Sequence, residues 1–201
     1  VQHSSATAEH YTPKPIVTAA RKVLGGIDLD PASCELAQHV VQAEAWYGPG
    51  SPYGENGLKE PWLGRVFLNP PGGSVPEEFR GMGTRTSAAL WWGVLAGAWV
   101  LGEIEQAIFI GFTLEILRSA QALDTVQPLD FPMCFPAKRI AFDTTEEGVR
   151  VGSSQPGHAN VIVYLPPTIE GWAADPRAVD ERAVKRFAAE FAVFGKTIWP
   201  R

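Results

Sequence analysis

Apolar residues in this chain fall into short runs separated by clusters of glycine, proline and polar residues, and the spacing inside each run predicts an element. Ile16, Val17, Ala20 and Val23 recur at helical intervals. Tyr11-Thr12-Pro13 opens that helix: Thr12 is placed to cap it, Pro13 suits its first turn, and Gly25-Gly26 closes it. Residues 27–31 alternate and stop at Pro31, which predicts a buried strand with acids emerging at its carboxyl end. A short helix is expected over 33–41, then a second strand finishing near Tyr47. Residues 48–61 are rich in glycine and proline and read as a loop.

Residues 65–69 form another expected strand, halted by Pro70-Pro71-Gly72-Gly73. Beyond a glycine-rich loop, 87–106 reads as a long apolar helix, 107–112 as a buried strand and 114–123 as a helix. Strands are expected over 139–143 and 161–165, joined by a hairpin-like excursion. Val179, Ala183, Phe187 and Phe191 mark one side of an amphipathic terminal helix over 179–194. Strands alternating with helices predict an α/β fold: a mostly parallel sheet flanked by helices, with an antiparallel part toward the C-terminus. No linker-like stretch separates two cores, so one domain is expected over 1–201, with residues 1–9 a flexible lead-in.

Composition narrows the class. The chain has 201 residues, 45% hydrophobic and 19% charged, which is a globular balance and not a disordered one. No uninterrupted apolar run is long enough to span a bilayer; the nearest, 87–104, contains three glycines and Glu103. Absence of a basic, apolar leader and of metal-type spacing around Cys34 and Cys134 points to a reduced, cytoplasmic setting and to no metal site. The net charge of −5 argues against a nucleic-acid partner unless cations cluster locally. Lys138, Arg139 and Arg150 form one group; Arg177, Arg182, Lys185 and Arg186 form another that reads as solvated surface.

The chemistry concentrates at Asn69-Pro70-Pro71, directly after a strand, where open α/β sheets place their ligands. The amino nitrogen of an adenine or an amide is a poor nucleophile because its lone pair is delocalised. An Asn side-chain oxygen and a following backbone carbonyl can both accept hydrogen bonds from such an NH2, and two prolines hold those acceptors stiffly. The same triplet can also serve only to stop a strand. Asp28 and Asp30 are placed to accept from a ribose hydroxyl or an amino group of a nucleoside cofactor, with one of the two expected to be a turn or capping residue. No glycine fingerprint of the dinucleotide type accompanies them. The start of the first helix offers N–H groups to a carboxylate, and Tyr11 can cover a ring.

In order, Tyr11-Thr12-Pro13, Gly26-Ile27-Asp28-Leu29-Asp30-Pro31-Ala32-Ser33, Asn56-Gly57-Leu58 with Trp62, and Gly64-Arg65-Val66-Phe67-Leu68-Asn69-Pro70-Pro71 resemble the phage-type DNA N-6-adenine-methyltransferase family. Cys134-Phe135, Arg139-Ile140-Ala141-Phe142 and Val161-Ile162-Val163-Tyr164 resemble its later blocks. The resemblance implies a Rossmann-like methyltransferase fold, S-adenosylmethionine as cofactor, double-stranded DNA as partner and a phage or prophage origin. It implies a cofactor site lined by Tyr11, Thr12, Pro13, Asp28, Asp30, Pro31 and Ser33, and a target amino group held by Asn69, Pro70 and Pro71. Where the family pattern continues with an aromatic residue, this chain has Gly72. Phe135, and less directly Trp62, are candidates to supply the missing ring, and Arg139 is a candidate substrate contact. The alternatives are another amino substrate, such as a protein amide, or a fold without catalysis.

Overall fold

The computed structural model describes residues 10–81, 86–146, 149–153, 157–169 and 175–200, and side chains throughout these except at 144–146 and 149–153. Seven strands form one mixed sheet in the order β2-β1-β3-β4-β8-β5-β9. They are β1 (Leu29–Asp30), β2 (Ala45–Trp46), β3 (Gly64–Leu68), β4 (Ile104–Gly111), β5 (Met133–Pro136), β8 (Val161–Leu165) and β9 (Gly195–Ile198). Two further strands, β6 (Asp143–Glu146) and β7 (Val149–Ser153), pair as a separate antiparallel ribbon. The β2-β1-β3-β4 half is parallel; β8 runs antiparallel to both β4 and β5, and β9 antiparallel to β5. This α/β arrangement, compatible with a Rossmann-like fold, contains the antiparallel C-terminal part the sequence predicts, but that part takes three of the sheet's six strand pairings, so the sheet is evenly mixed and not mostly parallel.

Side-chain alternation divides the core in two. Val66, Leu68, Ala107, Phe109, Val161, Val163 and Met133 face α3 (Ser87–Val100) and α4 (Glu115–Ser119). Phe67, Ile108, Ile110, Ile162, Tyr164 and Cys134 face α1 (Lys14–Leu24) and α5 (Glu181–Phe191). Both faces of the central strands are thus covered, which is why they read as continuous apolar runs without polar alternation. The remaining helix, α2 (Glu35–Val41), packs beside α1. Helix α3 is apolar on nearly every side because it is enclosed: Trp92 meets Phe109 and Phe131 edge-on, and its Nε1 donates to the Val126 carbonyl at 3.0 Å.

Several boundaries differ from the pattern. The long helix stops at Val100, because Gly102 turns the chain with φ 72°, and the strand after it begins at Ile104. Residues 139–142 are irregular, and the strand expected there begins only at Asp143. Strands β5 and β9 lack a clear apolar period of their own; pairing along the sheet edge defines them. Thr12 does not cap α1; Pro13 occupies the N-cap, with no side-chain hydrogen bond. Residues 1–9 lie outside the described residues. No helix among the described residues is long and apolar enough to cross a membrane.

Candidate functional site

From β1 the chain steps to β2 on one side and to β3 on the other. The region outside the carboxyl ends of β1 and β3, next to that reversal, is the usual ligand position in such sheets. Asp30 ends β1 and is 3% exposed. Its Oδ2 accepts from Gln38 Nε2 at 3.0 Å and its Oδ1 from the Ala32 N–H at 3.4 Å. Gln38 also donates to Ser33 Oγ at 2.7 Å, and its Oε1 accepts the Ala43 N–H at 2.9 Å, so the amide is locked. Among the described residues, the partners of Asp30 (Gln38, Ser33 and the Ala32 N–H) are all neutral. Burial therefore dominates and pushes its carboxyl up to about 6, against the lowering effect of Ser33, Ala32 and Gln38.

Two glycines close the wall of this turn. A Cβ on Gly57 would lie 1.9 Å from the Pro31 carbonyl oxygen, and one on Gly48 would lie 1.9 Å from that of Ser33. The loop backbone rests directly on residues 31–33, an approach only glycine permits.

Asn69 follows β3 on the same side of the sheet as Asp30. Leu68 faces α3, so alternation turns Asn69 toward α1; Asp30, beside Phe67 in register, points the same way. Strand spacing and rise put their Cα atoms roughly 8 Å apart. Asn69 Nδ2 donates to the His10 carbonyl at 2.9 Å, which leaves Oδ1 as the outward atom of the amide. Pro70 is buried, and the next carbonyl, of Pro71, accepts from Ser87 Oγ at 2.9 Å, tying the turn to the start of α3.

A strap crosses this end of the sheet. Tyr11 and Asp143 exchange both backbone hydrogen bonds, each at 2.9 Å. Cys34 Sγ lies 3.7 Å from the Tyr11 hydroxyl, and Tyr11 is 5% exposed, so its ring packs inward. The His10 ring stacks on Phe112 at 5.0 Å, and Phe112 also meets Phe142 at 5.5 Å and His158 at 5.7 Å. Buried Asn160 binds this group together: its Nδ2 donates to the Phe112 carbonyl at 2.7 Å and its Oδ1 accepts the Ile140 N–H at 2.7 Å. A shallow cavity of about 490 Å³ opens next to these rings, lined by Thr113, Leu114, Glu115, His158 and Ala159. Neither Asp30 nor Asn69 lines it.

Two buried polar atoms of the strap, Thr12 Oγ1 and His10 Nδ1, have no hydrogen-bond partner. Leaving such atoms unpaired costs about 1–3 kcal/mol each. Thr12 Oγ1 and the buried Asp30 carboxylate are groups of the kind that a hydroxyl- and amine-bearing ligand would bond.

The structure gathers Tyr11, Thr12, Pro13, Asp30, Pro31, Ser33, Asn69, Pro70, Pro71 and Gly72 at one end of the sheet. Asp28 does not join them. Its carboxylate is held by Arg65, through the backbone N–H and Nε at 2.8 Å each and through Nη2, at the amino end of β3. Helix α1 is also a poor anion donor: Pro15 has no N–H, and Ile16 and Val17 both donate to the Pro13 carbonyl. Phe135 sits on β5, separated from β3 by β4 and β8, and packs on the α3 side. Trp62 is 2% exposed on that same side, donating to the Gly57 carbonyl at 2.7 Å. Neither ring reaches Asn69.

Arg139 is exposed on the irregular segment beside Ile140, and the Arg150 side chain lies outside the described ones. Gly72 is exposed, and a Cβ there would meet nothing within 4 Å. His10, Phe112 and Asn160 build the strap beside Asn69 without having been singled out, and Phe142 was quoted only as part of a later block of the resemblance. Phe112 and Asn160 carried a readable signal, since each directly flanks an apolar strand run; His10 carried none. Among the described residues no group of three or more His, Cys, Asp or Glu is placed to hold a metal.

Comparison of the chain with protein-family models, with curated proteins and with solved structures finds no match.

Proposed function

We propose that this protein is an S-adenosylmethionine-dependent methyltransferase with a Rossmann-like methyltransferase fold, acting on an exocyclic amino group, with adenine in double-stranded DNA as the favoured substrate. The observation that carries this reading is the convergence of Asp30 and Asn69, on the same sheet face, at the carboxyl ends of two adjacent strands where the chain order reverses. The cofactor, when bound, supplies a sulfonium methyl group. Asp30, held in place by Gln38 and Ser33, would accept from its hydroxyl or amino hydrogens, and Thr12 Oγ1, buried without a partner, would be available to it. Asn69 Oδ1 and the Pro70 carbonyl accept the two hydrogens of the target amino group and draw its lone pair out of conjugation. Orientation and preorganised polarity supply the rate enhancement, with no strong base required. A base in a duplex has to leave its stack to reach this turn.

Gly72 favours a second reading. With no ring after Asn-Pro-Pro and a net charge of −5, a protein amide or small amine suits the same acceptor pair. A tritiated-methyl transfer assay offering DNA, RNA and a protein extract in parallel separates the two. Label in DNA that disappears in Asn69→Ala supports the first reading, and label only in protein selects the second. Cofactor binding with no label anywhere leaves a methyltransferase fold used for binding alone.

A further inference from the structure

A primary amide has two ends of nearly equal size, and its orientation is set by its partners. In Asn69 one partner is a peptide carbonyl, that of His10, at 2.9 Å. A carbonyl can only accept, so it selects the NH2 end; turning the amide over would set two acceptors against each other. We infer that His10 is a positioning residue that makes Asn69 a pure acceptor on its open side, so that the site takes an amino group and refuses an oxo group. This inference rests on the methyl-transfer reading and adds the residue that sets its substrate polarity.

The His10 carbonyl can act in this way because the residue after it and its own ring are both held. The following residue, Tyr11, is paired to Asp143 through both its N–H and its carbonyl. The His10 ring lies on Phe112 at 5.0 Å with 30° between planes, and edge-on to Phe142 at 6.0 Å. Phe112 is itself anchored by Asn160. His10 Nδ1 is buried without a partner, so the ring is held by stacking and not by a bond from that nitrogen. A phenyl ring at position 10 should therefore serve where a methyl group does not. The substrate consequence is chemical: an amino edge offers hydrogens to Asn69 Oδ1 and the Pro70 carbonyl, whereas an oxo edge meets them acceptor to acceptor.

The test uses the whole chain, in which asparagine occurs only at positions 56, 69 and 160. In 15N-labelled protein the Asn69 side-chain amide is assigned by its loss in Asn69→Ala, and its hydrogen exchange is measured. The expected result is exchange slowed about 10-fold or more relative to His10→Ala, the size of effect set by one net hydrogen bond. His10→Phe retains the protection, Phe112→Leu loses it, and the His10→Ala/Phe112→Leu pair is no worse than either change alone. In methyl transfer, His10→Ala lowers kcat on the order of 10-fold or more, with the KM for DNA and the cofactor affinity nearly unchanged. Unprotected Asn69 in the unaltered protein, or His10→Phe as damaging as His10→Ala, overturns the inference. Protection as expected without methylation of any substrate leaves the polarity lock standing and removes the methyl-transfer reading.

Discussion

Two aspartates separated by a single leucine, one just before strand β1 and one at its carboxyl end, meet opposite fates. Asp28, at the amino end, is enclosed by Arg65, whose guanidinium holds its carboxyl below the ordinary carboxylate range. Asp30, at the carboxyl end, is buried among neutral donors and pushed up to about 6. The first charge is satisfied inside the fold and stabilises it. The second is kept desolvated and without a cation, a cost carried at neutral pH that a ligand can relieve. Identical chemistry is thus paired with a cation at one end of the sheet and left among neutral donors at the other, the end where the proposed function places its ligand.

The sharpest break in that contrast comes from the carboxyl end. Asn69→Ala removes the acceptor that the proposed function assigns to the target amino group, and methyl transfer should then fall on the order of 100-fold or more, measured by tritium incorporation. The melting temperature should change little, because the amide is bonded to one backbone carbonyl.

Asp30→Asn should separate binding from stability. Cofactor affinity, by calorimetry, should drop on the order of 10- to 100-fold, the range for a hydrogen bond to a charged group. Stability should move the other way. The carboxyl is raised in the folded state, so the stability linked to it is full below about pH 4 and is lost as pH rises through about 6. Asp30→Asn should abolish that decline and gain up to about 3 kcal/mol at pH 7.5, at roughly 1.4 kcal/mol per pKa unit. Urea melts from pH 4.5 to 8 that show no difference in slope would contradict the account of Asp30.

Gly72→Tyr tests whether the open side of the Asn-Pro-Pro turn faces a base. Because a Cβ there meets nothing within 4 Å, folding should be unaffected. A ring stacking on a flipped base should lower the KM for DNA about 5- to 10-fold, within the roughly 1–3 kcal/mol such stacking supplies. Unchanged or weaker DNA kinetics would favour the protein-amide reading.

The smallest effect belongs to the amino end. Asp28→Asn should cost about 1 kcal/mol at pH 7, since the Arg65 pair is partly solvent-screened. Here the sign reverses: the folded-state carboxyl is lowered, so its contribution is present above about pH 4 and is lost as pH falls. Cofactor affinity should not change. A loss comparable to that of Asp30→Asn would erase the distinction between the two ends.

Much of this was legible one element at a time. The 161–165 run is a strand at both boundaries, and the Asn-Pro-Pro turn follows its strand directly, because buried apolar runs and prolines act through local sterics and burial alone. Strands β5 and β9 were not legible, since each is defined by the edge it pairs with. Of the proposed rings, Phe135 and Trp62 failed for a topological reason: alternation and strand order put both on the α3 side, away from Asn69.

By itself the sequence determined the alternation of strands and helices, the stiff Asn69-Pro70-Pro71 turn and the pair of acids near the first strand. Those follow from spacing, backbone restriction and residue type, which act over a few neighbours. Only the tertiary structure decided which acid is paired with Arg65, that His10 takes the Asn69 NH2, and that Phe112 and Asn160 brace the strap. Each of these depends on residues distant in the chain being brought into contact: 37 positions for Asp28 and Arg65, 48 for Phe112 and Asn160, and 59 for His10 and Asn69. Long-range strand order sets that proximity, and no local pattern encodes it.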